Sequence, residues 1–269
     1  MRKTLLLAGC CLLFAAQTVA AQGVCSLQNI QGTYVNVVSP IYAATTPMSS
    51  IGLTRIDAEG HWVGSPVTIV TPMGPMELAS SGDITVWPDC TAEIVQHAGG
   101  YDHVWAAVIL DNGKEIRAVH TDPALEPLAP GLTAPTVRTQ TLLRLSAGPH
   151  EVNNCSADKL AGRYAKTCNG WTRSAGAYMP FNSVATLSST GNGLGWGGGV
   201  VVGSGLKTQF AFEGLAFSVD PDCRGLASFG MAGGTYTERL VMFDEGKRIV
   251  SITLSADRVD VCQWVRMDK

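Results

Sequence analysis

The sequence predicts an all-β protein built from two tandem, disulfide-bonded antiparallel barrels of about eight short strands each. Three observations predict it. The chain repeats itself once at a long period, six cysteines remain behind a secretory leader, and glycine-punctuated β patterns run through both copies without a helical stripe of useful length.

The leader comes first. Met1-Arg2-Lys3 is followed by an apolar run over residues 5–16 and by Val19-Ala20-Ala21, small residues where a signal peptidase reads. Residues 1–21 therefore read as a removable signal peptide cleaved after Ala21, and the protein as secreted or periplasmic. Leu7-Ala8-Gly9-Cys10 also matches a bacterial lipoprotein box, but it comes too early, and the apolar run continues past it. No later stretch is apolar enough for a membrane span, and no basic run suggests nucleic acid. Losing Arg2 and Lys3 makes the formal net charge of −3 two units more negative. Charged residues are only 15% and glycines number 30, which favours short strands and tight turns over exposed helices.

The repeat organises the rest. Cys25-Ser-Leu-Gln-Asn-Ile-Gln-Gly-Thr-Tyr34 matches Cys155-Ser-Ala-Asp-Lys-Leu-Ala-Gly-Arg-Tyr164 at an offset of 130. Pro88-Asp89-Cys90 matches Pro221-Asp222-Cys223, and Asp111-Asn-Gly-Lys-Glu-Ile116 matches Asp244-Glu-Gly-Lys-Arg-Ile249, both at 133. Leu142-Leu-Arg144-Leu matches Trp264-Val-Arg266-Met at 122. A period this long means duplicated domains: repeat one over 23–146, a linker over 147–154, repeat two over 155–269.

Inside each repeat, Asn112-Gly113 and Glu245-Gly246 mark hairpin turns, the former of type I′, because Asn-Gly accepts positive φ. The cysteines follow the same order. Of eight, Cys10 and Cys11 leave with the leader. Cys25 and Cys90 occupy the landmarks of Cys155 and Cys223, so Cys25–Cys90 and Cys155–Cys223 respect the duplication, leaving Cys168 with Cys262. That last bridge requires first and last strands of repeat two to be neighbours, as barrel closure gives.

Gly32-x-Tyr34 and Gly162-x-Tyr164, each opening a first strand, resemble the Gly-x-Trp motif of lipocalins and other calycin barrels. Arg144 and Arg266 sit where that superfamily packs an arginine over the opening ring. The resemblance implies closed barrels with one open mouth and structural cation–π contacts of Arg144 on Tyr34 and Arg266 on Tyr164. Thr121-Asp122 is similar to the second lipocalin motif until Pro123. Avidin-like and allene-oxide-cyclase-like barrels fit the same residues, and none of these motifs carries an activity.

Candidate chemistry is sparse. Gly193-Leu-Gly-Trp-Gly-Gly198 matches G-x-G-x-x-G, but the following residues read as strand, so no dinucleotide site is expected. No G-x-S-x-G elbow, C-x-x-C pair or metal-ligand spacing occurs, so neither cofactor nor metal is expected. Histidine is the asymmetry: His61, His97, His103 and His120 all lie in repeat one, and repeat two has none. His103 and His120 are therefore the candidate acid–base or contact residues, Asp102 or Asp122 could orient them, and Trp62 and Trp105 could line an apolar mouth. The reading is a secreted two-barrel protein binding a small, largely apolar ligand. The alternatives are a cofactor-free isomerase, cyclase or lyase using repeat-one histidines, and a structural or surface-interaction module with filled barrels.

Overall fold

The structure, a computed structural model, describes residues 24–42, 47–64, 66–121, 137–146, 155–203, 206–231 and 234–268. The expected leader over 1–21, the expected linker over 147–154 and Asp122 lie outside the described residues. The chain forms two closed, eight-stranded antiparallel barrels in tandem.

The first barrel contains β1 (Gly32–Tyr42), β2 (Ser49–Ile56), β3 (His61–Gly64), β4 (Val67–Thr71), β5 (Gly74–Leu78), β6 (Ser80–Val86), β7 (Thr91–Ala98), β8 (Tyr101–Leu110), β9 (Glu115–His120) and β10 (Val137–Ser146). Neighbours run β1-β10-β9-β8-β7-β6-β3-β2, and β2 pairs back onto β1 to close the ring. β3 and β4 both pair with β2, and β5 and β6 pair with β4 and β3 in turn. Each of these pairs thus acts as one interrupted stave, which gives eight staves from ten strands. The second barrel is simpler. β11 (Gly162–Ser174), β12 (Ala177–Ser189), β13 (Leu194–Gly203), β14 (Leu206–Val219), β15 (Arg224–Met231), β16 (Gly234–Phe243), β17 (Arg248–Thr253) and β18 (Arg258–Arg266) each pair with the next, and β18 returns to β11. Closure pairs both edges of most strands; in barrel one β5 pairs with β4 alone. Residues alternate between core and outside along β7 and β8, as a two-residue period demands. The glycine run at 193–198 lies largely in β13, a strand and not a phosphate-binding loop.

One end of each barrel is plugged in the same way. The short helix α1 (Leu27–Ile30) buries Ile30, and the 3₁₀ turn Ala157–Leu160 buries Leu160. Below them sits the hairpin turn. Asn112 and Gly113 have φ of 55° and 80°, and the Lys114 N–H donates to the Asp111 carbonyl at 3.2 Å, which is a type I′ turn. The ladder begins one residue further out, at Leu110↔Glu115, because Asp111 is also left-handed at φ 50°. Asp244, Glu245 and Gly246 repeat this geometry with φ of 52°, 54° and 79°. Only glycine fits the third place: a Cβ at Gly113 would come within 2.0 Å of the Asn29 carbonyl oxygen, and one at Gly246 within 2.4 Å of that of Lys159.

The Tyr34 hydroxyl donates to the Gly113 carbonyl at 2.8 Å, and the Tyr164 hydroxyl to that of Gly246 at 2.7 Å. Arg144 donates to the Tyr34 oxygen and the Asn29 carbonyl, and Arg266 to the Tyr164 oxygen and the Lys159 carbonyl. Each guanidinium carbon stands 5.4 Å from its ring centroid. One arginine thus ties opening strand, plug and turn together in both copies.

Disulfides join Cys25 to Cys90, Cys155 to Cys223 and Cys168 to Cys262. The last pair faces across β11 and β18 and staples the closure of the second barrel. The barrels also share apolar surface: Val35, Val37, Ile51, Val70 and Leu143 form one buried cluster with Val241, Phe243, Val250, Ile252, Val259 and Val261. Among the described residues no helix is long and apolar enough to cross a membrane.

Candidate functional site

The polar interior of barrel one lies at the end where β1, β7 and β9 finish and β2, β8 and β10 begin. Register brings its residues to one face. Gln96 pairs with His103, Trp105 with His120, and Val38 with Gln140, all pointing inward. His103 and His120 ring centroids lie 5.6 Å apart, and Trp105 meets His120 edge-on at 5.0 Å. Both imidazoles are buried, as are Arg138, Gln140, Asn36 and Gln96. Burial, and secondarily the Arg138 guanidinium, push the His103 pKa down to about 4, so this ring is neutral at pH 7.

The hydrogen bonds here are half complete. The Gln140 Nε2 amide donates to Asn36 Oδ1 at 2.9 Å, and that of Gln96 donates to the Ser80 hydroxyl at 2.9 Å. Asn36 Nδ2, Gln140 Oε1 and the Trp105 indole N–H find no hydrogen-bond partner among the described residues. Of these three residues Trp105 also lines a cavity of about 20 Å³, whose walls are mostly apolar, with Val38, Met48 and Ile69 among them and Ser50, Ser80 and Gln96 as polar members. That is room for about one water.

The structure therefore gathers His103, His120 and Trp105, and places Trp62 in the same core, opposite Gly82. Asp102 does not join them. Neighbouring strand residues face opposite ways, so Asp102 points outward and bonds His97 Nδ1 at 2.6 Å instead of orienting His103. Tyr34 and Arg144 occupy the plugged end, away from the polar cluster. The four repeat-one histidines split into a buried pair, His103 and His120, and an exposed pair, His61 and His97.

Barrel two holds a network that the sequence reading passed over. The Lys166 ammonium pairs with Glu238 at 2.5 Å and lies 4.7 to 5.6 Å from the ring centroids of Trp264, Phe229 and Phe212. The Ser251 hydroxyl donates to Glu238 at 2.7 Å, and the Trp264 indole donates to Ser251 at 3.0 Å. Burial lowers the Lys166 pKa, and the Glu238 carboxylate opposes that shift. Arg258 and Asp260 form a second pair at 2.7 Å, with the guanidinium 4.4 Å from the Phe181 centroid. The signal was present: Tyr164 and Cys168 point inward, so Lys166 between them must do so too. The Cys168 and Cys262 sulfurs lie near Asp260, but a disulfide offers no thiolate to a metal.

The repeat offsets align the two interiors. Asn36, Trp105, Arg138 and Gln140 of barrel one stand where barrel two has Lys166, Glu238, Asp260 and Cys262. In barrel two these positions partner one another or their neighbours through ion pairs and a disulfide. In barrel one Asn36, Trp105 and Gln140 leave donors and acceptors without a partner among the described residues.

No protein-family model matches the chain, and no curated protein matches it. Among solved structures, HpuA from Kingella denitrificans, crystallised in complex with human haemoglobin, is similar over 91% of this chain and 90% of its own, at 10% identity and a TM-score of 0.33. A protein of the DUF3598 family from Nostoc punctiforme is similar over 90% and 97%, at 9% identity and a TM-score of 0.27. Kievitone hydratase from Nectria haematococca is similar over 93% and 95%, at 7% identity and a TM-score of 0.25. Likenesses this distant carry no weight for function.

Proposed function

We propose that this is an exported binding protein in which barrel two is a filled scaffold and barrel one takes a small, polar, acceptor-rich molecule at its histidine end. Three disulfides already fit an oxidising, extracellular or periplasmic setting, and the leader over 1–21 supplies the route. One observation carries the binding reading. Duplicated interiors differ in hydrogen-bond completion, with Asn36 Nδ2, Gln140 Oε1 and Trp105 Nε1 unsatisfied in barrel one at positions that barrel two closes internally. An unsatisfied buried polar atom costs about 1–3 kcal/mol, so a scaffold has reason to eliminate it and a binding site has reason to keep it. The Trp105 indole N–H and the Asn36 Nδ2 amide offer donors to such a guest.

Thermal unfolding of the oxidised protein with acetate, succinate, citrate and inorganic phosphate tests this. A saturable rise in Tm of at least about 2 °C is expected with one or more of them, and its loss in Gln140→Leu. The cavity of about 20 Å³ favours a second reading, a surface-interaction module with both barrels filled. If none of the four moves Tm, that second reading replaces the first.

A further inference from the structure

We infer that the outer wall of barrel one carries a binding site for a zinc-class divalent metal, formed by Asp83, His97 and His61, with Asp102 set behind His97. The site is separate from the barrel interior and does not depend on what the interior binds.

Strand register assembles it. His61 on β3 sits directly opposite Asp83 on β6, and His97 on β7 sits directly opposite Asp102 on β8. Asp83 and His97 are diagonal neighbours, since Ser81 pairs with His97 and Asp83 follows two residues on along the same face. All four side chains point outward and are well exposed. Directly opposed and diagonal positions on one sheet face are the ones whose longer side chains can meet. No sequence spacing announces the set, because its members come from four strands.

The distance between Asp83 and His97 suits a metal. His97 Nε2 lies 3.7 Å from Asp83 Oδ2. Two ligand atoms each about 2.1 Å from a tetrahedral zinc stand about 3.4 Å apart, so the gap needs to close by only a few tenths of an ångström. His97 is prepared for the role, because its other nitrogen, Nδ1, bonds Asp102 Oδ1 at 2.6 Å. A carboxylate on the far nitrogen holds a metal-bound imidazole in orientation and raises its basicity. His61 Nδ1 bonds Asp83 Oδ1 at 2.6 Å; its nitrogens and His97 Nε2 do not yet converge on one point with Asp83, so His61 becomes the third ligand only when its ring turns from that hydrogen bond toward the metal. Asp57 and Glu59 add negative potential at His61, which favours a cation there. Two imidazoles and a carboxylate, with a water completing the set, form the donor set that Zn²⁺, Cu²⁺ and Ni²⁺ accept and that Mg²⁺ and Ca²⁺ do not prefer.

Calorimetric titration of the oxidised, metal-stripped protein with zinc chloride at pH 7.5 tests the site. One equivalent should bind with a Kd in the micromolar range. His97→Ala, Asp83→Asn and His61→Ala should each weaken binding at least tenfold, and Asp102→Asn about tenfold, the usual scale for an outer partner of a metal-bound histidine. His150→Ala should leave it unchanged. These side chains are exposed, so the variants should keep the wild-type Tm in the absence of zinc, which separates lost ligation from lost folding. Absence of saturable one-to-one binding below about 100 µM, or binding that survives both Asp83→Asn and His97→Ala, overturns the assignment.

Discussion

Single residues decide how each barrel treats polarity in its core. The buried Lys166–Glu238 pair is held by Ser251 and three aromatic faces, so removing one partner strands a charge. Lys166→Met should destabilise the protein by about 3–5 kcal/mol, whereas Lys166→Met with Glu238→Leu should come within about 1–2 kcal/mol of wild type, as denaturant unfolding of the four-membered cycle would show. His103 predicts a pH dependence of definite sign. Its folded pKa of about 4 lies below the ~6.5 of an unfolded histidine, so the unfolded chain binds the extra proton between those values. Stability present above about pH 6.5 is lost as pH falls toward 4, by at most about 3 kcal/mol, and His103→Gln should flatten that part of the curve. The exposed His61 and His97, raised chiefly by their bonds to Asp83 and Asp102, act in the opposite sense, but solvent screens them.

At the scale of elements, the hairpin turns show one solution reached with unequal residues. Both copies need three consecutive left-handed positions, and both dock the turn against Tyr34 or Tyr164. Repeat one uses Asn112 in the middle position, which tolerates that conformation, and repeat two uses Glu245, which tolerates it less well. Glu245→Asn should therefore stabilise the second barrel by about 0.5 kcal/mol in thermal unfolding. Gly246→Ala should do the reverse and by more, since its Cβ would drive into the Lys159 carbonyl oxygen at 2.4 Å.

For the whole molecule, the two barrels are joined by apolar surface as well as by chain. Val250 is buried in the shared cluster, with Val35, Val37 and Leu143 contributed by the other barrel. Val250→Asp should cost about 3 kcal/mol by burying a charge there. Calorimetry should then show a single endotherm resolving into two, one per barrel. Glu77 and Arg239, paired at 3.2 Å, reinforce the same contact from the rim and contribute less, being partly exposed.

The sequence by itself determined that this chain folds as two β barrels in tandem. Repeated landmarks carry backbone information: the glycine that a left-handed turn requires, the tyrosine and arginine that tie turn to strand, and the cysteines at matched places. Such residues act locally, through φ angles and short-range alternation, and are legible one segment at a time. The inward-facing Lys166 was equally legible from its neighbours Tyr164 and Cys168. What only the tertiary structure decided is which side chains meet. Asp102 and His103 are adjacent in sequence, yet alternation sends one to solvent and the other to the core. His61, Asp83, His97 and Asp102 are scattered along the chain, yet register brings them to one outer face. The polar lining of barrel one likewise comes from β1, β7, β8, β9 and β10. Pairing register and barrel closure are properties of many strands at once, so no local pattern could state them.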